Sequence, residues 1–173
     1  MVFTIYFLYC FILYSFLGWV IENVYSFYKR GHFQKEGFLK GPYKPMYGIA
    51  MALLIVINQH LISNRLLMIA LCFFIPLTVE YLSGYYLKKL FLKTYWDYSN
   101  MSCNFQGIIC LQFAIYWMFL SFLGVVYLQP IFDFIYKIEN AFWLIVIPNI
   151  IMIVLVDLTL TIRRLTSIPI KER

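Results

Sequence analysis

Residues 2–28 read VFTIYFLYCFILYSFLGWVIENVYSFY, with no charged side chain before Glu22. About 20 consecutive apolar residues suffice for a helix to cross about 30 Å of hydrocarbon, so this run predicts a transmembrane helix. It has no basic segment ahead of it, so it reads as a retained span and not as a cleaved signal peptide. Four further apolar stretches follow, at about 46–63, 66–87, 108–128 and 142–162. The third contains Pro76 and Glu80, and the fifth contains Pro148, Asn149 and Asp157. Proline is tolerated inside such helices because neighbours satisfy the freed backbone groups. The expected fold is therefore all-α: one domain over 1–173, an integral membrane bundle of five transmembrane helices.

Composition agrees. The 173 residues are 63% hydrophobic and only 13% charged, where soluble domains carry about 25% charge. That excludes a soluble enzyme, a disordered regulator and a disulfide-stapled secreted module. Cys10, Cys72, Cys103 and Cys110 form no CxxC and have no nearby paired histidine, so they read as packing residues. His32 and His60 are expected on opposite sides of the membrane. No metal site and no cofactor is expected.

Lys and Arg set the orientation. Lys29, Arg30, Lys35, Lys40 and Lys44 follow the first span, Lys88, Lys89 and Lys93 the third, and Arg163, Arg164, Lys171 and Arg173 the fifth. With the N-terminus outside and the C-terminus cytoplasmic, these twelve of the fourteen basic residues face the cytoplasm. The net charge of +6 is thus a topology and lipid-headgroup signal, with no nucleic acid implied. Residues 131–140, IFDFIYKIEN, read as a short interfacial helix on the outer surface, where Asp133 and Lys137 could pair while Phe134, Ile135 and Ile138 meet lipid.

The residues that carry information are Glu22, Glu80 and Asp157. An ionised side chain at mid-membrane costs about 2.5–3.5 kcal/mol on insertion scales. All three are expected roughly 8–10 Å from the cytoplasmic surface, counted at 1.5 Å per helical residue. Ser15, Gly18, Glu22 and Ser26 share a helix face, as do Pro76, Glu80 and Gly84. The acids are therefore expected to point at each other or into a shared cavity. Nothing basic lies inside a span, so they must be protonated, hydrogen-bonded, or matched by a loop cation reaching in. Two readings stay open: neutral hydrogen-bonding groups that tie helices together, or a binding or catalytic pocket facing the cytoplasm.

Two loops flank that layer. In the first, Gly41-Pro42 and Lys44-Pro45 prevent helix and impose a stiff turn. Lys40 and the other basic residues there suit an anionic headgroup or a phosphorylated ligand. In the second, Asp97, Tyr98 and Asn104 could turn the chain back toward the membrane or project over the carboxylates. No GxxxxGK[ST], no Ser-His-Asp triad and no HExxH occurs, which argues against ATP hydrolysis or protease chemistry by this chain.

Gly18-Trp19–Glu22, then Gly37-Phe38-Leu39-Lys40-Gly41-Pro42–Pro45–Tyr47-Gly48, Glu80, Trp96-Asp97-Tyr98-Ser99 and Asn104–Gly107 resemble small bacterial ABC-transporter type IV permeases of the CmpB type. The similarity covers roughly Phe7 to Gly124. Its specific parts are Gly-Pro-x-x-Pro-x-Tyr-Gly and Trp-Asp-Tyr-Ser. The chain departs from the family's pattern at Lys35-Glu36, where Asn-Arg is frequent, and at Lys44, where a small residue or Cys is common. The resemblance implies a multi-pass cell-membrane permease component in a homo-oligomer or with a separate nucleotide-binding subunit. Glu22, Glu80 and Asp157 would then form the pocket, with Asp97, Tyr98 and Asn104 as its lid and Lys40, Gly41, Pro42, Pro45 and Tyr47 as loop candidates. The competing expectations are a membrane-embedded enzyme acting on a lipid-linked or phosphorylated substrate, and a non-catalytic assembly or regulatory subunit.

Overall fold

The computed structural model describes residues 2–33, 37–61 and 64–167. Lys35, Glu36, Ser63, Lys171 and Arg173, which enter the sequence reading, lie outside the described residues. The elements in order are α1 (Val2–Arg30), α2 (Pro45–Leu61), α3 (Arg65–Phe91), a two-stranded hairpin of β1 (Asn104–Phe105) and β2 (Ile109–Cys110), α4 (Leu111–Leu123), a π-helical segment (Gly124–Leu128), α5 (Gln129–Ile138) and α6 (Asn140–Ser167).

Local chemistry sets the ends. Gly31 stops α1 at φ +73°, and its N–H still reaches the Phe27 carbonyl at 2.9 Å. Asn64 opens α3, its side chain accepting from the Leu66 N–H at 2.8 Å. Leu92 closes α3 in the left-handed region, its N–H donating to the Lys88 carbonyl.

Four helical stretches are long and apolar enough to cross a membrane: Phe3–Arg30, Arg65–Phe91, Leu111–Ile138 and Ala141–Ser167. Phe74, Phe119, Ile145, Met152, Ile153 and Leu160 are all exposed on their outer faces. Apolar surface that extensive is incompatible with water and fits lipid. The protein is a helical membrane protein.

The structure corrects the expected spans in two places. The stretch expected to cross at 46–63 is the short α2, whose 17 residues rise about 26 Å, less than the roughly 30 Å core. The cause lies in the loop before it. The Lys44 N–H donates to the Ser15 carbonyl at 2.9 Å, and Ser15 is about 22 Å along α1 from Arg30 at 1.5 Å per residue. Residues 37–44 thus bring irregular backbone to the middle of α1 before α2 begins. Leu39 is buried on the way. Such backbone is tolerated at membrane depth only when protein covers it or it borders a cavity.

The second correction concerns 108–128 and 131–140. Helix begins at Leu111 and runs without a break through the π segment into α5, so the expected surface helix continues the preceding span. The Tyr14 hydroxyl donates to the Gly124 carbonyl at 3.2 Å, capturing an acceptor at the start of the π segment. Phe134 and Ile138 do face outward. Asp133 is bound by the Tyr6 hydroxyl of α1 at 2.6 Å and by the Gln129 amide one turn back on α5 at 2.7 Å, partners that take the place of the expected pairing with Lys137.

One end of the bundle is solid. Tyr9, Cys10, Tyr14, Met51, Leu54, Ile55, Cys72, Val125, Tyr136 and Ile147 form a continuous core there. Three of the four cysteines are buried, as packing residues would be, and Cys103 is exposed. Tyr6, Gln59 and Gln129 add hydrogen bonds that join α1, α2 and α5. The other end is hollow.

Candidate functional site

The hollow is a cavity of about 960 Å³. α1 from Phe7 to Arg30, the C-terminal half of α3, the descending loop, the start of α2, the loop after α3, α4 and α6 all contribute to its wall. Most of the lining is aromatic or aliphatic, and Glu22, Lys44, Tyr47, Glu80, Asp97 and Tyr98 supply polar groups. This is the composition of a ligand pocket: a broad apolar wall with a few placed polar atoms.

Glu22 meets its cation there. Lys44, at the foot of the descending loop, places Nζ 2.6 Å from Glu22 Oε2, and both side chains are mostly buried. Tyr47, one turn into α2, sets its hydroxyl beside the same carboxylate. Pro45 fixes the helix start between them without losing a needed N–H, since the first N–H groups of a helix lack intrahelical acceptors. Removing one member of such a pair strands the other charge. Lys44→Met should destabilise the protein by about 1–3 kcal/mol, and adding Glu22→Gln should return most of that loss. A double-mutant cycle on thermal unfolding in detergent checks the sign of the coupling.

Glu80 sits one wall across, on α3, 3% exposed. The Tyr98 hydroxyl donates to its Oε1 at 3.1 Å, while Oε2 is buried without a hydrogen-bond partner. Trp117 brings its indole against the carboxyl, yet its Nε1 also completes no hydrogen bond. The Trp117 ring is packed edge-on against Tyr47 at 4.6 Å between centroids.

The segment Trp96-Asp97-Tyr98-Ser99 divides the work of delivering that hydroxyl. Trp96 Nε1 donates to the Ile108 carbonyl at 2.8 Å, pinning the loop to the hairpin. Asp97 Oδ1 accepts from both the Ser99 N–H and its hydroxyl, a local turn that fixes the next residue. Those two bonds hold the exposed Asp97 carboxyl below its usual range. Tyr98 stacks on Phe113 at 4.8 Å. Burial, together with the Glu80 charge, pushes its phenol well above the ordinary value. Asn104 closes the same loop, donating to the Met101 carbonyl at 2.7 Å and accepting from the Gly107 N–H at 3.1 Å.

Asp157 does something else. Its Oδ2 accepts from the Lys40 N–H at 3.0 Å, the Gly41 N–H at 2.9 Å and the Tyr43 hydroxyl at 3.1 Å. It clamps the top of the descending loop to α6 and is not among the cavity's lining residues.

Of the sequence candidates, Glu22, Glu80, Asp97, Tyr98, Pro45 and Tyr47 thus line one cavity, whereas Asp157, Asn104, Lys40, Gly41 and Pro42 lie outside its lining. Sequence reasoning did not select Lys44 or Trp117 as site candidates. The signal for Lys44 was the set of acids within apolar runs, for which a loop cation reaching in is one of the expected matches. A tryptophan within an apolar run carries no comparable signal.

Fold and cavity together define a polytopic helical membrane protein built around a largely apolar chamber with a buried ion pair and a buried acid. A family model described as "Putative ABC-transporter type IV" matches residues 9–162, and the chain belongs to that family of membrane transport-related proteins. No curated protein and no solved structure matches the chain.

Proposed function

We propose that this chain is the permease component of an ABC-type transporter of the cell membrane, and that the cavity is where its cargo dwells. The observation that carries this is the chamber of about 960 Å³ in the hollow end, with Glu22–Lys44 and Glu80 in its wall. Drug-sized ligands occupy pockets of about 300–1,000 Å³, so the chamber is large enough for a metabolite or an amphipath. Solid packing at one end and a hollow at the other is what a permeation element holding a single open side requires.

The basic residues support an orientation. Lys29, Arg30, Lys88, Lys89 and Lys93 cluster at the ends of α1 and α3 beside the hollow, so positive-inside placement turns the chamber toward the cytoplasm with the N-terminus outside. In this reading α2 and the descending loop together make the fifth crossing. The chain carries no phosphate-binding P-loop in its sequence, so ATP would be hydrolysed by a separate nucleotide-binding subunit docked on the same side. The small number of helices calls for a second copy or a second membrane subunit to complete a path.

The test is purification from native membranes after mild crosslinking, followed by ATPase assay of the captured complex. An ATP-hydrolysing subunit should accompany the chain, and Glu22→Gln with Glu80→Gln should change its cargo response by about tenfold. Solute movement by the purified chain alone under an ion gradient would overturn the partner requirement.

A further inference from the structure

We infer that the cavity selects an amphipathic monocation, a molecule with one protonated amine head and an apolar body, and that the head is received at Glu80. This rests on the cavity being a cargo site and names the class of cargo.

Charge supplies the first argument. The ionisable side chains of opposite sign in the wall are Glu22, Glu80 and Asp97 against Arg30 and Lys44, which leaves one negative charge in excess. Glu22 is already matched by Lys44. Asp97 is exposed to solvent and satisfied by Ser99. Glu80 is the most buried of the three and has no cation paired with it among the described residues. An isolated buried carboxylate must take up a proton or a counter-cation.

Geometry supplies the second. Glu80 uses Oε1 to accept from Tyr98, while Oε2 completes no hydrogen bond although the Trp117 indole lies against the carboxyl. A buried acceptor of that strength costs free energy until a donor arrives. An ammonium brings both the charge and the hydrogen.

The surroundings supply the third. Tyr98 and Trp117 reach the acid, and Phe113 and Tyr47 pack on their rings in the same wall; aromatic surroundings of this kind suit an organic cation. An anionic head would meet Glu80 without compensation, and a neutral head would leave the charge unmatched. The apolar body finds Phe11, Phe38, Leu120 and the α6 side chains along the rest of the wall.

The experiment uses the full chain in lipid nanodiscs, with empty nanodiscs as the blank for partitioning. Decylammonium, decanol and decanoate are titrated in turn, read by the fluorescence of the wall tryptophans Trp96 and Trp117. Decylammonium should bind about 10- to 100-fold tighter than either comparator, the worth of a charge-assisted hydrogen bond in a water-poor site. Glu80→Gln should remove that preference while decanol binding persists. Tyr98→Phe, which keeps the carboxylate, should retain the preference. If decanol or decanoate binds as well as decylammonium, the monocation inference falls and the cargo cavity stands. If none of the three binds, both fall. The comparison in the unmodified protein decides the matter even where a variant does not fold.

Discussion

Gly48→Leu is expected to abolish recoverable folded protein, and Gly48→Ala to lower the thermal midpoint by several degrees. A Cβ at this position would overlap the Phe11 carbonyl oxygen and Ser15 Oγ of α1. The carbonyl belongs to helix backbone and cannot rotate away. The two helices would have to separate, and forced overpacking in a well-packed contact costs about 1–3 kcal/mol even for small additions. Separation here also withdraws Lys44 from the Ser15 carbonyl and from Glu22, so the loss at the contact spreads to the cavity. Close approach through small residues is how helices associate where lipid offers no hydrophobic drive. Leu53→Ala, on the exposed side of α2, is the control and should leave the midpoint nearly unchanged. Size-exclusion profiles and thermal unfolding in detergent give the readout. A Gly48→Leu protein that purifies normally and melts with the native one would show that α1 and α2 are not held at this distance.

Asp157→Leu should have the second largest effect, through the loop. One carboxylate oxygen receives two backbone N–H groups and a phenol, and an apolar replacement strands all three donors. The Lys40 N–H is exposed and the other two donors are part-buried, so the loss lies at the low end of the cost of unsatisfied donors, about 1–3 kcal/mol in total. Asp157→Asn keeps an acceptor oxygen of the same shape and should lose no more than about half as much. The distinguishing readout is local. Amide hydrogen exchange over residues 37–44 should quicken in Asp157→Leu well before α3 or α4 responds. A uniform change across all helices would mean that Asp157 stabilises α6 itself and does not clamp the loop.

Much of this protein was legible in the chain. Charge scarcity and long apolar runs dictate helices in lipid, because no other open structure satisfies its backbone there. The positions of Glu22 and Glu80 within those runs marked them as partners or pocket residues, since lipid would not receive them. Gly41-Pro42 and Pro45 announced an irregular segment before α2.

What periodicity could not convey was depth. Residues 31–44 are basic and interrupted by proline, so they read as a surface loop. The structure takes their end to the middle of α1, because Gly18 and Gly48 admit Tyr47 and α1 backbone at close range and the Ser15 carbonyl receives Lys44. That descent shortens α2 and brings a lysine to Glu22, two outcomes that depend on contacts between residues far apart in sequence.

The sequence by itself therefore determined the solvent, the helices and the acids, all of which follow from local composition and the cost of charge in hydrocarbon. Tertiary structure alone decided their fates. Three acids that the sequence presented alike became an ion-paired Glu22, a half-satisfied Glu80 in a cavity wall and an Asp157 that clamps a loop. The reason is physical: a carboxylate's role is set by the donors within about 3 Å of it, and those donors come from elements that only packing brings together.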